Sequence, residues 1–277
     1  MTGSALDRAF AALELLATAP AGLPLHAVTD ALDLPKSAAH RVLAALSDRG
    51  YVRQDAETGR YHLTTRLVAV GFRYLAAAGI VDLVQPVLDR LAQHTGELVR
   101  LGVVDGARQT WVAKSQGARS GLRYDAEMGS EAPLATTASG QAWLACLGDE
   151  QALQLVAAQG FPGRQARGPN APATLKALLE RLHAARRRGY ASVNESSAPG
   201  TSAMAAAVRH PLTGGVVGTV SIAGPSVRLT EARMHELAPA LLDAARELAD
   251  ASTSSPFFTA ASRSLGHSTS GVRERTA

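Results

Sequence analysis

Apolar residues Leu6, Phe10, Leu13 and Ala17 recur every three or four positions within SALDRAFAALELLATA, residues 4–19. That period predicts a helix with this stripe as its buried face and Ser4 as its N-cap. Pro20 and Gly22 interrupt it. A short second helix fits LHAVTDALDL through Leu25, Val28 and Leu32, and Pro35 suits the first position of a third. In the third helix Ala39, Val42, Leu43 and Leu46 fall at i, i+3, i+4 and i+7, a core face, and Gly50 ends it. The pattern then alternates: YVRQ pairs with RYHLT across DAETG, a hairpin in which Val52, Tyr61 and Leu63 face the helices while Arg53 and Arg60 stay free near the tip. Three helices followed by a hairpin fill the first 65 residues.

Beyond the hairpin, TTRLVAVGFRYLAAA (65–79) predicts an apolar helix ending at Gly79, read as a connector, and another helix runs to Gly96. From residue 97 the grammar changes. LVRLGVV and QTWVAKS read as strands joined across Asp105-Gly106, a strong hairpin signal. Helices are expected over Ala138–Leu147, Glu150–Gln159 and Thr174–Arg188, strands near Tyr190–Asn194, Ser202–Arg209 and Val216–Ala223, and a last amphipathic helix over Leu229–Ala251. The fold class is α+β with an antiparallel sheet. The tail from about residue 253, rich in Ser, Thr and Arg, reads as disordered.

Composition adds bounds rather than identity. A chain of 277 residues, 46% hydrophobic, suggests about two domains, and its formal charge of +4 permits a polyanionic partner without requiring one. No signal-peptide pattern opens the chain and no run approaches the ~18 apolar residues of a membrane span, so a cytoplasmic protein without membrane contact is expected. Cys146, the only cysteine, lies in the apolar helical setting QAWLACL, which predicts a buried, inert thiol.

Charge placement matters more than net charge. On the third helix the 100° turn per residue sets Ser37, Arg41 and Ala44 opposite the core face, with His40 beside them and Lys36 at the N-terminal end. Slim side chains with cations and donors near a helix start suit entry into a major groove. A basic hairpin directly after such a helix is the layout of a winged helix-turn-helix. Against this, residues 1–66 hold seven Lys and Arg and seven Asp and Glu, so a protein-interaction module is the bland alternative.

Catalytic chemistry is poorly supported. The eight His are dispersed and none has a metal-ligand partner at suitable spacing. Gly-rich phosphate loops and nucleophile elbows are missing. His210 and Glu195 lack a visible nucleophile partner, and the Arg run at 186–188 sits at a helix C-terminus, where the dipole favours cations. No catalytic residue, metal or cofactor is expected; an enzyme acting on a small organic acid through the C-terminal half is the alternative.

The segments RAFAALELLA (8–17), LPKSAAHRVLAALSDRGYV (34–52), ETGRYHLTTRLVAVG (57–71), PVLDRLAQHTGE (86–97), APLATTASGQAWLA (132–145), RRGYA (187–191) and VSIAGP (220–225), in this order and spacing, resemble the IclR family of bacterial transcriptional regulators. The resemblance implies a winged helix-turn-helix over 1–66, a linker helix over 67–80 and a GAF-like effector-binding domain over 81–252, which leaves 253–277 as the tail that composition reads as disordered. It also implies a homodimer or dimer of dimers, binding a double-stranded DNA operator and controlling a catabolic operon. Positions matching DNA contacts are Arg8, Lys36, Ser37, Ala38, His40 and Arg41, with Arg53 and Arg60 on the wing; Ala38 and Ala39 stand where the family often has Thr and Val.

The GAF-like domain is expected to hold a small organic acid between its sheet and a helix start. Ala138, Ser139 and Gly140, in the turn TTASGQAWLACL, suit a carboxylate because N–H groups and hydroxyls converge at a helix N-terminus, although Ser139 as a mere cap is the alternative. By resemblance Met128 and Leu134 form an apolar wall and Ser221 supplies a hydroxyl. Ala223 replaces a second Ser of some relatives, and VNES (193–196, with Asn194) replaces a more acidic stretch. Such a pocket is less polar than in relatives that sense glyoxylate or pyruvate, which favours a larger or aromatic acid.

Overall fold

A computed structural model describes residues 4–77, 80–125, 128–161 and 168–253. Gly79 and the tail from 254 lie outside the described residues, as do residues 126–127 and 162–167. The chain divides into two compact units, Met1–Leu75 and Ala76–Ala277.

In the first unit Ser4 caps α1 (Ala5–Ala17) through a reciprocal box: Ser4 Oγ accepts from the Asp7 N–H and Asp7 Oδ2 accepts from the Ser4 N–H. Asp33, in the left-handed conformation, closes α2 (Leu25–Leu32), and Pro35 stands at the N-cap of α3 (Lys36–Asp48), one position earlier than the sequence placed it. Gly50, with φ of +74°, turns the chain into β1 (Val52–Gln54), which pairs antiparallel with β2 (Tyr61–Leu63). Leu23 adds a bridge to Tyr61 as the edge of this small sheet. At Gly22, φ of +71° and an imidazole that a Cβ would meet at 2.5 Å leave room only for glycine beneath His62.

The core of this unit is Ala12, Leu16, Val28, Leu43, Leu46, Val52 and Tyr61. It corrects one expectation: Leu6 and Phe10 are 64% and 56% exposed. α1 carries two apolar stripes that share Leu13, and the one containing Ala9, Ala12 and Leu16 faces inward because its alanines permit close packing on the neighbouring helices. α4 (Thr65–Ala77) follows the wing and buries none of its residues.

The second unit is built on a five-stranded antiparallel sheet, ordered β4-β3-β7-β6-β5. Its strands are β3 (Leu98–Asp105), β4 (Arg108–Gln116), β5 (Ala191–Asn194), β6 (Thr201–Arg209) and β7 (Val216–Pro225). Helices α5 (Ile80–Thr95) and α9 (Glu231–Ser252) pack against one another and the sheet. α6 (Ala138–Leu144) lies on β6 and β7, and α7 (Asp149–Gln159) and α8 (Leu175–Arg188) enclose the cluster of Leu134, Trp143, Leu144, Val156 and Leu182. Glu97, its side chain only 6% exposed, is clasped by Arg228 through Nε–Oε1 at 2.8 Å and Nη2–Oε2 at 3.0 Å. Arg228 Nη1 also donates to the Leu122 carbonyl at 2.7 Å, pinning the segment after β4.

Candidate nucleic-acid interface and effector pocket

The outward side of α3 follows from its period. With Ala39, Leu43 and Leu46 buried, Lys36, Ser37, His40, Arg41 and Ala44 are exposed, and none of the four polar side chains has a hydrogen bond or ion pair among the described residues. An unpaired cationic face at a helix start is free to meet phosphates and base edges. Ala38 is instead buried, 7% exposed, because it turns toward α1. It lines a groove of about 950 Å³ with Arg8, Arg41, Leu6, Phe10 and Val70. Arg8 is half-buried there, its Nε without a partner.

On the wing Arg53 is exposed and unpaired, whereas Arg60, expected to be free, donates Nη1 to the Gly22 carbonyl at 2.9 Å. That bond staples the wing to the loop before α2. Asp55 organises the hairpin tip: its Oδ1 accepts from the Glu57 and Thr58 N–H groups and the Thr58 hydroxyl, bonds that hold its carboxyl below the ordinary carboxylate pKa.

In the second unit a cavity of about 330 Å³ opens between the sheet and the start of α6. Its floor comes from register. Arg100 pairs with Ser221, and Ala203 with Ala223, so with a period of two these side chains share one sheet face. Ala138 and Ser139 of α6 and Ser221 and Ala223 of the sheet all line the cavity, alongside Trp111, Tyr124, Glu131, Pro133 and Thr137.

Four residues expected in the pocket are not in its lining. Leu134 points into the core cluster with Trp143 and Leu144, where its fully buried side chain is held. Gly140 packs its Cα against the Leu134 backbone, and its N–H is consumed by Thr137 Oγ1 at 3.0 Å. Thr137, rather than Ser139, is therefore the cap of α6. Asn194 accepts from the Ser202 hydroxyl at 3.0 Å, one layer behind the lining, and Met128 lies on the segment approaching Ser130 without reaching the wall.

The residue that sequence reasoning passed over is Arg100. It is 5% exposed, stacks its guanidinium on Trp111 at 3.8 Å and lies 5.9 Å from the Tyr124 ring centre. Its Nε and Nη1 are buried without any hydrogen-bond partner, and burial pulls its pKa below the usual guanidinium value, with Tyr124 opposing that shift. Its signal was present in LVRLGVV, where it is the one cation in a strand otherwise apolar or Gly. Elsewhere, His210 is buried and accepts from the Leu212 N–H, Arg186 is fixed by Asp149 and the Ala145 and Leu147 carbonyls, and Cys146 is half-buried, burial pushing its thiol pKa up. No group of three metal-ligating side chains occurs among the described residues.

Comparison with known proteins decides what kind of molecule carries these two sites. The family described as the bacterial transcriptional regulator IclR C-terminal domain matches residues 72–250, and the IclR helix-turn-helix domain matches residues 5–56. The chain belongs to the IclR family. The regulator BhcR of Paracoccus denitrificans is 31% identical over 247 residues, 88% of this chain and 85% of BhcR. The transcriptional repressor IclR of Escherichia coli is 29% identical, with 88% of both chains covered. Among solved structures, an IclR transcriptional regulator from Alicyclobacillus acidocaldarius has a TM-score of 0.78 at 22% identity, over 91% of this chain and 99% of that one. An IclR homologue from Microbacterium hydrocarbonoxydans complexed with 4-hydroxybenzoate has a TM-score of 0.72 at 21% identity, over 91% and 100%. This IclR-family chain is thus a DNA-binding transcriptional regulator with an N-terminal helix-turn-helix and a C-terminal effector domain. The enzymatic alternative finds no support, since these relatives are regulators. No helix among the described residues is long and apolar enough to cross a membrane.

Proposed function

We propose that this regulator grips a double-stranded DNA operator with the Lys36–Arg41 side of α3 and changes that grip when a small organic acid occupies the cavity beside α6. The observation that carries the DNA half is the exposed, unpartnered set Lys36, Ser37, His40 and Arg41 on a helix whose opposite side is core. Arg53 extends the cationic surface along the wing, while Arg60 acts by fixing the wing's position and Ala38 by letting α3 approach α1. The sensing half is supported by the cavity, and by the 4-hydroxybenzoate held by the Microbacterium homologue. A regulator answering to such an acid fits control of a catabolic operon that consumes it, and the repressor relative supports repression as the mode. The cytoplasm is the compartment this function requires.

A second copy of the chain is the partner proposed for Leu6, Phe10, Val68, Val70 and Phe72, exposed apolar residues of α1 and α4 within the first unit. A homodimer, alone or paired into a dimer of dimers, would bring two α3 helices to two half-sites; sedimentation velocity separates these assemblies from a monomer.

Electrophoretic titration of DNA flanking the protein's gene tests the DNA half. Arg41→Ala should weaken specific binding by roughly 1–3 kcal/mol if Arg41 meets a base edge. Wild-type affinity should fall steeply with salt as counterions are released. Unchanged binding by Arg41→Ala, together with a flat salt response, would show that α3 meets a protein instead.

A further inference from the structure

A buried cation normally finds an anion or a full set of acceptors, because an unpaired buried charge is costly. Arg100 has neither among the described residues. Among the described residues the nearby carboxylates are committed: Glu97 is taken by Arg228, Asp125 by Lys114, and Glu131 accepts from Gln159 at 2.9 Å with Arg108 at 3.8 Å. What Arg100 does have is orientation. The Trp111 ring under its guanidinium holds the planar group in place, and Trp111 Nε1 is itself buried without a partner beside the same cavity. Two adjacent residues of the cavity wall that both carry polar atoms with unmet hydrogen bonds describe a site whose missing member is a ligand.

The rest of the lining restricts that ligand. Among the described residues Arg100 is the only cation in the lining and Glu131 the only acid, so a second negative charge on the ligand would meet no counter-charge and one repulsion there. The floor is made of the short side chains of Ala203, Ser221 and Ala223 on a sheet, Tyr124 contributes a flat ring and Pro133 an apolar one. A slot of about 330 Å³ built this way accepts a flat molecule of roughly one ring more readily than a bulky one.

We infer that the effector is a planar monocarboxylate, in its simplest form an aromatic one, and that Arg100 is the residue that receives its carboxylate. This rests on the reading of the cavity as the effector site and adds its charge, its shape and its anchor. A guanidinium pre-oriented on a ring loses little freedom on pairing, and a charge-assisted bond in a dry site is stronger than one in water. A carboxylate paired with Arg100 would offset the cost of burying its guanidinium.

Full-length protein is titrated calorimetrically and by thermal shift with benzoate, benzamide, phthalate and inorganic phosphate. Benzoate should bind and raise the melting temperature, and benzamide, of the same shape but uncharged, should bind roughly ten- to hundred-fold more weakly, the range of a charged hydrogen bond. Phthalate should be weaker than benzoate, and phosphate should be inert. Arg100→Met should lose benzoate affinity by a similar factor while melting, without ligand, at or above the wild-type temperature. Equal binding of benzamide and benzoate, tighter phthalate, a response to phosphate alone, no response to any probe, or full benzoate affinity in Arg100→Met would each overturn the inference. A ligand-free Arg100→Met that melts well below wild type would mark the guanidinium as structural, with the same consequence. Operator affinity is scored separately: benzoate bound through Arg100 without effect on DNA binding refutes the regulatory reading and leaves the anchor standing, whereas DNA release by acids that ignores Arg100 does the reverse.

Discussion

Replacing Arg228 by Met offers a quantitative test of how the second unit is braced. The side chain it abandons, Glu97, would keep a buried carboxylate after losing bonds of 2.8 and 3.0 Å. Removing one partner of a buried pair costs about 3–5 kcal/mol, but Arg228 is 40% exposed, so water already screens part of the attraction. Loss of about 2 kcal/mol is the discounted figure. For a unit of this size each kcal/mol corresponds to about 2–4 °C, which gives a fall of about 4–8 °C in melting temperature. The assay has a built-in address, because both tryptophans, Trp111 and Trp143, belong to the second unit and their fluorescence follows that unit alone. Adding Glu97→Gln to Arg228→Met removes the stranded charge and should restore at least half of the loss. Gly224 belongs to the same device, since a Cβ there would overlap the Glu97 carboxylate. Should Arg228→Met melt within 1 °C of wild type (a bound of about 0.5 kcal/mol), or the double variant lose more than the single one, the brace contributes nothing of this kind.

Two further outcomes follow from named contacts. Gly22→Ala forces a side chain into the His62 ring at a left-handed position, so DNA affinity should drop through a displaced wing while tryptophan-detected melting stays at the wild-type value; unchanged DNA affinity would show that wing position is not set there. Asp149 is held below the ordinary carboxylate pKa, chiefly by the hydrogen bond from Arg186 and then by His183. A lowered folded-state pKa contributes stability that is present above the unfolded value of about 4 and fades as pH falls through the folded one. Asp149→Asn should therefore narrow the gap to wild type as acid is added over that window, and a gap independent of pH would disprove the coupling.

Much of the architecture could be read before any coordinates because its local signals agree with one another. The α3 face was legible because a helix with four buried positions at 3.6-residue spacing leaves only one way for Lys36, Ser37, His40 and Arg41 to point. The same periodicity misled at α1. It reports that Leu6 and Phe10 are apolar and in line, yet not which of two stripes the neighbouring helices cover. Arg60 looked free because its acceptor, the Gly22 carbonyl, lies 38 residues away in sequence. In the pocket, resemblance supplied positions but not directions: Leu134 and Gly140 stand at the right place in the chain and turn into packing instead. Arg100 needed the fold, since only the sheet register places it beside Ser221 and over Trp111 with nothing to pair with.

The central claim, that the exposed side of α3 reads DNA, is tested most directly by selecting binding sites from random-sequence duplexes with wild type and Arg41→Ala in parallel. Wild type should enrich one motif, an inverted repeat if two copies bind together, and Arg41→Ala should lose or relax the bases nearest the centre of each half-site. Enrichment of the same motif with the same stringency by both proteins, or of none by wild type, would contradict it.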